Sequence, residues 1–212
     1  MYHSDGDVYD GEWKDDKAHG KGTYNHSNGA VYEGTWAYDK QHGNGMEYWP
    51  DGAKYSGLFV EGRKEGKGKL KFADGSLFEG EFLDNEINGY GKYVWSDGKQ
   101  YEGTWVQNKM HGRGVLTWKN GEKEYVGEFR DDVRHGHGIF KWKDGRVYDG
   151  LWRNGKQHGR GIFKEGREGA EEKVGEWVNG KRVKWVTNNL TFNEHGTNQG
   201  ADDKGNEDGF TS

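Results

Sequence analysis

The sequence predicts an all-β fold, an elongated antiparallel β-meander or solenoid of stacked hairpins with a period of 23 residues, and three observations predict it. The first is an aromatic-x-Gly-x-aromatic unit. It recurs at Tyr9/Gly11/Trp13, Tyr32/Gly34/Trp36, Tyr55/Gly57/Phe59, Phe78/Gly80/Phe82, Tyr101/Gly103/Trp105, Tyr125/Gly127/Phe129 and Tyr148/Gly150/Trp152, with a single step of 24 residues from Tyr101 to Tyr125. The second is a Gly-x-Gly pair that follows each unit, usually behind a histidine, as in His19-Gly20-Lys21-Gly22 and His111-Gly112-Arg113-Gly114. The third is alternation of hydropathy at period two, with no helical periodicity after any copy.

Each element follows from these. The aromatics and the glycine of the first strand share one face, and residues such as Asp10/Glu12 and Glu79/Glu81 take the other. On the second strand the same inner face receives glycine, glycine and then larger residues, as in Gly89/Gly91/Tyr93/Trp95. Large rings therefore pack against bare backbone. Each unit closes on Asp-Gly or Asn-Gly, as at Asp51-Gly52, Asp74-Gly75 and Asn120-Gly121, a strong short-range hairpin signal. Composition agrees: hydrophobic residues make up only 30% of the chain and the mean hydropathy is -1.23, while aromatics reach 15% and glycines number 38. One hairpin cannot bury enough surface alone, so neighbours must stack.

The chain divides into a partial N-terminal hairpin turn over 1–8, seven repeats over 9–163, a degenerate eighth repeat or cap over 164–186, and an acidic, mostly disordered tail over 187–212. Val174/Gly175/Trp177 is read as the eighth copy, with Trp177, Trp185 and Val186 closing the last hairpin. The net charge is -5; the tail, with five carboxylates against Lys204, holds -4 of it. The repeats are nearly neutral and carry no field that would attract nucleic acid.

The string Tyr101-Glu102-Gly103-Thr104-Trp105-Val106-Gln107-Asn108-Lys109-Met110-His111-Gly112-Arg113-Gly114 resembles the MORN (membrane occupation and recognition nexus) repeat, in register over seven copies. Departures stand at Glu65 and Asn88, in the histidine place of the third and fourth units, and in the eighth copy. The resemblance implies an extended antiparallel β assembly used for recognition. Similar arrays occur in radial spoke heads and other cytoskeletal proteins, and this implies a ciliary, axonemal or cytoskeletal setting.

The residues exclude several chemistries. Without cysteine there is no disulfide framework or thiolate site, and the start lacks the pattern of a signal peptide, so the expected compartment is cytoplasmic. Histidines one hairpin apart are separated by roughly 9 to 10 Å, too far to share one zinc, and serve the turns. Gly-x-Gly is followed by no helix that would make it a phosphate loop. No nucleophile with an orienting base is legible, so neither an enzyme nor a cofactor is expected.

Candidate sites therefore lie where units differ, on the outer face and at the ends. Val115, Val126, Ile139, Leu151 and Ile162 form a candidate apolar strip for a partner helix or strand, with a smaller patch at Met46, Tyr48 and Leu58. Lys67, Lys69 and Lys71, near Arg63 and Lys64, are candidates for an anionic lipid head group, or for pairing with Glu79 and Glu81. The function these residues point to is a non-catalytic protein-interaction scaffold, with peripheral phosphoinositide binding as the alternative. Self-association through a terminal hairpin is a further expectation.

Overall fold

The computed structural model describes residues 6–186; the sequence expectations for 1–5 and for the acidic tail lie outside the described residues. Sixteen antiparallel strands form one sheet in sequence order. They are β1 (Val8–Lys14), β2 (Lys17–Asn25), β3 (Val31–Ala37), β4 (Lys40–Tyr48), β5 (Lys54–Val60), β6 (Arg63–Lys71), β7 (Leu77–Leu83) and β8 (Glu86–Val94). The second half comprises β9 (Gln100–Val106), β10 (Lys109–Thr117), β11 (Lys123–Arg130), β12 (Val133–Trp142), β13 (Val147–Arg153), β14 (Lys156–Lys164), β15 (Glu172–Val178) and β16 (Lys181–Trp185). The extra residue of the longer repeat sits between β10 and β11, where Lys119–Gly121 forms a single 3₁₀ turn.

Every strand from β1 to β15 contributes one glycine to a continuous ladder that runs from Gly11 to Gly175, each paired with the glycine of its neighbour. The ladder exists because an aromatic ring, tyrosine in all but one of the seven full units, lies flat on each intra-hairpin glycine pair. A Cβ on Gly68 would stand 2.7 Å from Tyr55 Cε2. Tyr32, Tyr55, Tyr101, Tyr125 and Tyr148 are fully buried in this way. Each donates its hydroxyl to the carbonyl three residues on, for example Tyr101 to Thr104 at 3.0 Å and Tyr148 to Leu151 at 3.0 Å. Burial pushes the Tyr55 and Tyr148 phenols up to about 12 and raises those of Tyr32, Tyr101 and Tyr125 as well.

The aromatic rings also join one unit to the next. From the second unit to the seventh, the second aromatic stands edge-on to the first aromatic of its own unit and to that of the preceding one: Trp36 meets Tyr32 at 5.1 Å and Tyr9 at 5.3 Å, and Trp152 meets Tyr148 at 5.5 Å and Tyr125 at 5.2 Å. Such T-shaped pairs satisfy the ring quadrupoles, and here they form an unbroken zigzag along the array.

Two details differ from the sequence expectation. The first glycine of each Gly-x-Gly does not face inward with the second. At Gly20, Gly43 and Gly112 φ is between 67° and 72°, and the missing Cβ faces the outer side chains Glu12, Thr35 and Thr104. A bulge at this point resets the alternation, and glycine supplies its left-handed residue. Tight two-residue turns are not made by the Asp-Gly and Asn-Gly pairs that close the units. They sit instead at Asp15-Asp16, Tyr38-Asp39, Asp84-Asn85, Gln107-Asn108 and Asp131-Asp132, with φ positive at both residues, as a type I′ turn requires. The Asp-Gly sites are longer connections in which the carboxylate accepts the amide two residues on, as Asp51 does from Ala53 at 2.9 Å.

Those tight turns carry a second inter-unit link. Asp39 donates its amide to the Ala18 carbonyl at 3.0 Å and accepts the Ala18 amide on Oδ1 at 2.8 Å. Asn85 with Lys64, Asn108 with Ile87 and Asp132 with Met110 repeat this two-bond staple. Gly62, Gly155 and Gly180 have only the backbone half of it. The histidine position serves the same turns: the Glu61 amide reaches His42 Nδ1 at 3.5 Å, and at the Glu65 departure the Asp84 amide donates to Glu65 Oε1 at 3.1 Å.

Candidate functional site

With the inner face filled by rings, the outer face over the glycine ladder is left as a groove. Its floor is backbone and its walls are two rows of side chains, one on each side of the glycines. Strand register defines the rows. One reads Lys69, Glu79, Lys92, Glu102, Val115, Val126, Ile139, Asp149, Ile162 and Val174 from β6 to β15. The other includes Thr35, Asn44, Leu58, Lys67, Glu81, Arg113, Glu128, His137, Leu151 and Arg160.

The groove changes character along its length. Its N-terminal stretch, of ≈ 730 Å³, is lined by Lys21, Thr23, Glu33, Asn44, Met46 and Ser56. A middle stretch of ≈ 560 Å³ alternates in charge. There Lys69 pairs with Glu79 at 3.0 Å and Lys92 with Glu102 at 3.8 Å, while the Tyr90 hydroxyl donates to Glu102 at 3.1 Å. Two C-terminal stretches of ≈ 390 Å³ each have aliphatic walls. They meet at a polar pair, His137 Nε2 and Asp149 Oδ1, 2.7 Å apart.

The structure sorts the sequence candidates. Val115, Val126 and Ile139 are direct cross-strand partners and form one apolar wall. Asp149 interrupts it, and the wall resumes with Ile162 opposite Val174. Leu151 lies across the glycines from them, opposite His137. Leu58 and Leu151 also act locally, since each covers the bulge glycine of its own hairpin, Gly66 and Gly159, where Glu12 or Thr35 stands in other units. The smaller patch is divided too. Met46 faces Ser56, and the Tyr48 hydroxyl reaches the Met46 sulfur at 3.5 Å, whereas Leu58 belongs to the opposite row, facing Asn44.

The basic candidates do not form one cluster. Lys64 is on the inner face, its ammonium 2.7 Å from Glu47 and over the rings of Trp49, Tyr55 and Phe59, with only 16% of its side chain exposed. The bulge between Lys64 and Lys67 separates them in space. Arg63 pairs with Asp84 at 3.4 Å, Lys69 with Glu79, and Lys67 lies opposite Glu81. Lys71 lies between Leu77 and Lys54, beyond the ladder.

Sequence reasoning missed Val174 as a groove residue because it set Val174 in the place of the first aromatic, which lies two residues before the glycine and so falls to Lys173. Register places Lys173 there, opposite Phe163, and turns Val174 outward. Trp185 stands in for the absent tyrosine: it lies opposite Gly175 and edge-on to Trp177 at 6.1 Å. Among the described residues no group of three His, Cys, Asp or Glu side chains is placed to hold a metal ion, and no helix is long and apolar enough to cross a membrane.

The profile of the MORN repeat matches residues 9–31, 32–54, 55–77, 78–100, 101–123, 125–145, 148–164 and 174–183. No curated protein matches the chain significantly. Among solved structures, the SAS-4 (dCPAP) TCP domain of Drosophila melanogaster, in complex with a proline-rich motif of Ana2 (dSTIL), is 13% identical. It aligns over 73% of this chain and 83% of that one with a TM-score of 0.46. The TCP10 domain of Danio rerio CPAP, in complex with a STIL peptide, is also 13% identical, over 87% and 91%, with a TM-score of 0.41.

Proposed function

The chain belongs to the MORN repeat family, and from that premise we propose that it is a non-catalytic protein-interaction scaffold whose partner docks in the outer groove. The observation that carries the reading is the wall of Val115, Val126 and Ile139, continued by Ile162 and Val174, above a floor of bare glycine backbone. Val126 and Ile162 stay exposed at 38% each, while every inner tyrosine of the same units is sealed. An apolar wall beside an open backbone floor suits a polypeptide that lays down small or branched apolar side chains. Arg113, Glu128, His137 and Arg160 on the opposite wall would fix its direction and register.

The setting we propose is a cytoskeletal assembly, ciliary or axonemal in particular, and this rests on the family resemblance alone. The anionic-membrane alternative draws little support from the lysines, since Arg63, Lys64 and Lys69 each have an acidic partner. Crosslinking from native material, followed by pull-down with a Val126→Asp/Ile139→Asp chain of unchanged circular dichroism, tests the reading. Loss of the crosslinked partners supports the groove; their full retention overturns it. Salt-sensitive flotation with phosphoinositide vesicles, abolished by Lys67→Glu/Lys69→Glu, would favour the membrane.

A further inference from the structure

The two edges of the sheet are complementary to each other, and we propose that copies of this chain associate head to tail, β16 of one pairing with β1 of the next. Three independent features of the edges support this.

The first is an unfilled aromatic contact at each end. In every unit after the first, the second aromatic is wedged against the first aromatic of the preceding unit, and is 9% exposed or less. Among the described residues Trp13 keeps only the contact within its own unit, with Tyr9 at 4.9 Å, and it is 43% exposed. At the other end Trp185 takes the tyrosine place against Trp177, and among the described residues it meets no aromatic of a following unit; it is 36% exposed. A Trp13 from a second copy is the ring this site lacks. Arg182 stacks its guanidinium 3.9 Å over Trp185, and Arg134, its counterpart in the sixth unit, lies 4.3 Å from the ring centroid of Trp152 in the next unit, the place a Trp13 of a second copy would take beside Arg182.

The second feature is the staple. Asp16 is the second residue of the first tight turn, where Asp39, Asn85, Asn108 and Asp132 clasp the preceding unit. No unit precedes it among the described residues. Arg182 holds the position that Ala18 holds in the first unit, opposite Trp177 as Ala18 is opposite Trp13, and among the described residues no following turn reaches its backbone.

The third is charge. β1 and its turn present Asp10, Glu12, Asp15 and Asp16, all exposed, with Lys14 as the one cation; β16 presents Lys181, Arg182 and Lys184, also exposed, of which Lys184 already lies 3.2 Å from Glu176 of its own hairpin. Two β1 edges brought together would set Asp10 against Glu12 across the new pair, and two β16 edges would set lysines together. Only β16 against β1 joins unlike charges, and in the register of the β2–β3 junction it puts Lys184 opposite Glu12 of the next copy. A heterologous contact of this kind extends or closes into a ring; it does not stop at a dimer. This proposal does not depend on the groove.

Sedimentation velocity of the full chain over a wide concentration range tests it. The wild type should grow past the dimer, or close into one ring, with association weakened by salt. Lys181→Glu/Arg182→Glu spoils only the C-terminal edge and Trp13→Ala only the N-terminal one. Each alone should associate at least about tenfold more weakly. Mixed together, they should form a 1:1 dimer and nothing larger, because one sound edge of each kind remains. Should Trp13→Ala lower the melting temperature, Asp10→Lys/Asp16→Gly replaces it: it reverses an exposed edge charge and leaves the turn with the glycine that Gly62 and Gly155 supply elsewhere, without the side-chain half of the staple. A wild type that stays monomeric, a β16 variant that still dimerises (β1 to β1), a β1 variant that still dimerises (β16 to β16), or a mixture without heterodimer overturns the proposal.

Discussion

The inner and outer faces of the same strands obey opposite rules. Inside, the first aromatic, glycine and the second aromatic recur with almost no latitude, since each ring sits on its own hairpin and touches the next. Outside, the residues flanking the same glycines run from Lys69 and Glu79 to Val126 and Ile139 without disturbing the ladder. Repetition therefore carries stability, and variation is where recognition can be written. A large inner exception spans the second and third units: Glu47 stands where other units carry Tyr24, Leu70 or Tyr93, and it pairs with Lys64 of the next hairpin.

The strongest way to break the inner face is alkali. Below pH of about 10 both folded and unfolded chains keep their phenols protonated. Above it the unfolded chain ionises, while Tyr55 and Tyr148, held at about 12, and Tyr32, Tyr101 and Tyr125, also raised, keep their protons. The unfolded state then binds fewer protons, so stability falls with rising pH by about 1.4 kcal/mol per pH unit for each such tyrosine. Tyrosinate absorbance and circular dichroism should change together in one steep transition. Separate titration of the tyrosines in a folded chain would contradict a sealed inner face.

Next in size is Gly114→Val, whose Cβ would clash with Cε2, Cζ and the hydroxyl of Tyr101. It should cost about 3 kcal/mol by overpacking, with hydrogen exchange rising first in β9 and β10. Tyr101→Phe is milder: it strips the bond to the Thr104 carbonyl and should cost about 1 kcal/mol in denaturant unfolding. Phe78 already lacks that hydroxyl, so Phe78→Tyr should return a similar amount. Smallest is Ile139→Asp on the outer wall, which should move stability by no more than about 0.5 kcal/mol. A large loss there would mean that the outer face, too, is architecture.

Much of this was legible in the sequence. The period, the strand content and the inner aromatics follow from a spacing of 23 and a parity of two. Parity failed where the chain breaks it. The bulge at the first glycine of each pair moved Lys64 away from Lys67 and put that glycine on the other side, while antiparallel register, which sets Ile139 opposite Asp149 and His137 opposite Leu151, made the apparent strip of five apolar residues two segments on one wall and a leucine on the other. No local signal announces a bulge with more certainty than Gly-x-Gly itself, which reads equally well as two inward glycines.

What the sequence by itself determined is the unit: a hairpin whose first aromatic demands two bare backbones beneath it, repeated until stacking makes it stable. What only the tertiary structure decided is how units meet. The edge-to-face contact of Tyr9 with Trp36, the clasp of Asp39 on Ala18 and the substitution of Trp185 for a missing tyrosine join residues that the repeat pattern does not pair. The physical reason is that alternation specifies which face a side chain takes, whereas strand register and bulge geometry decide which side chain it meets, and these come from packing one unit against the next.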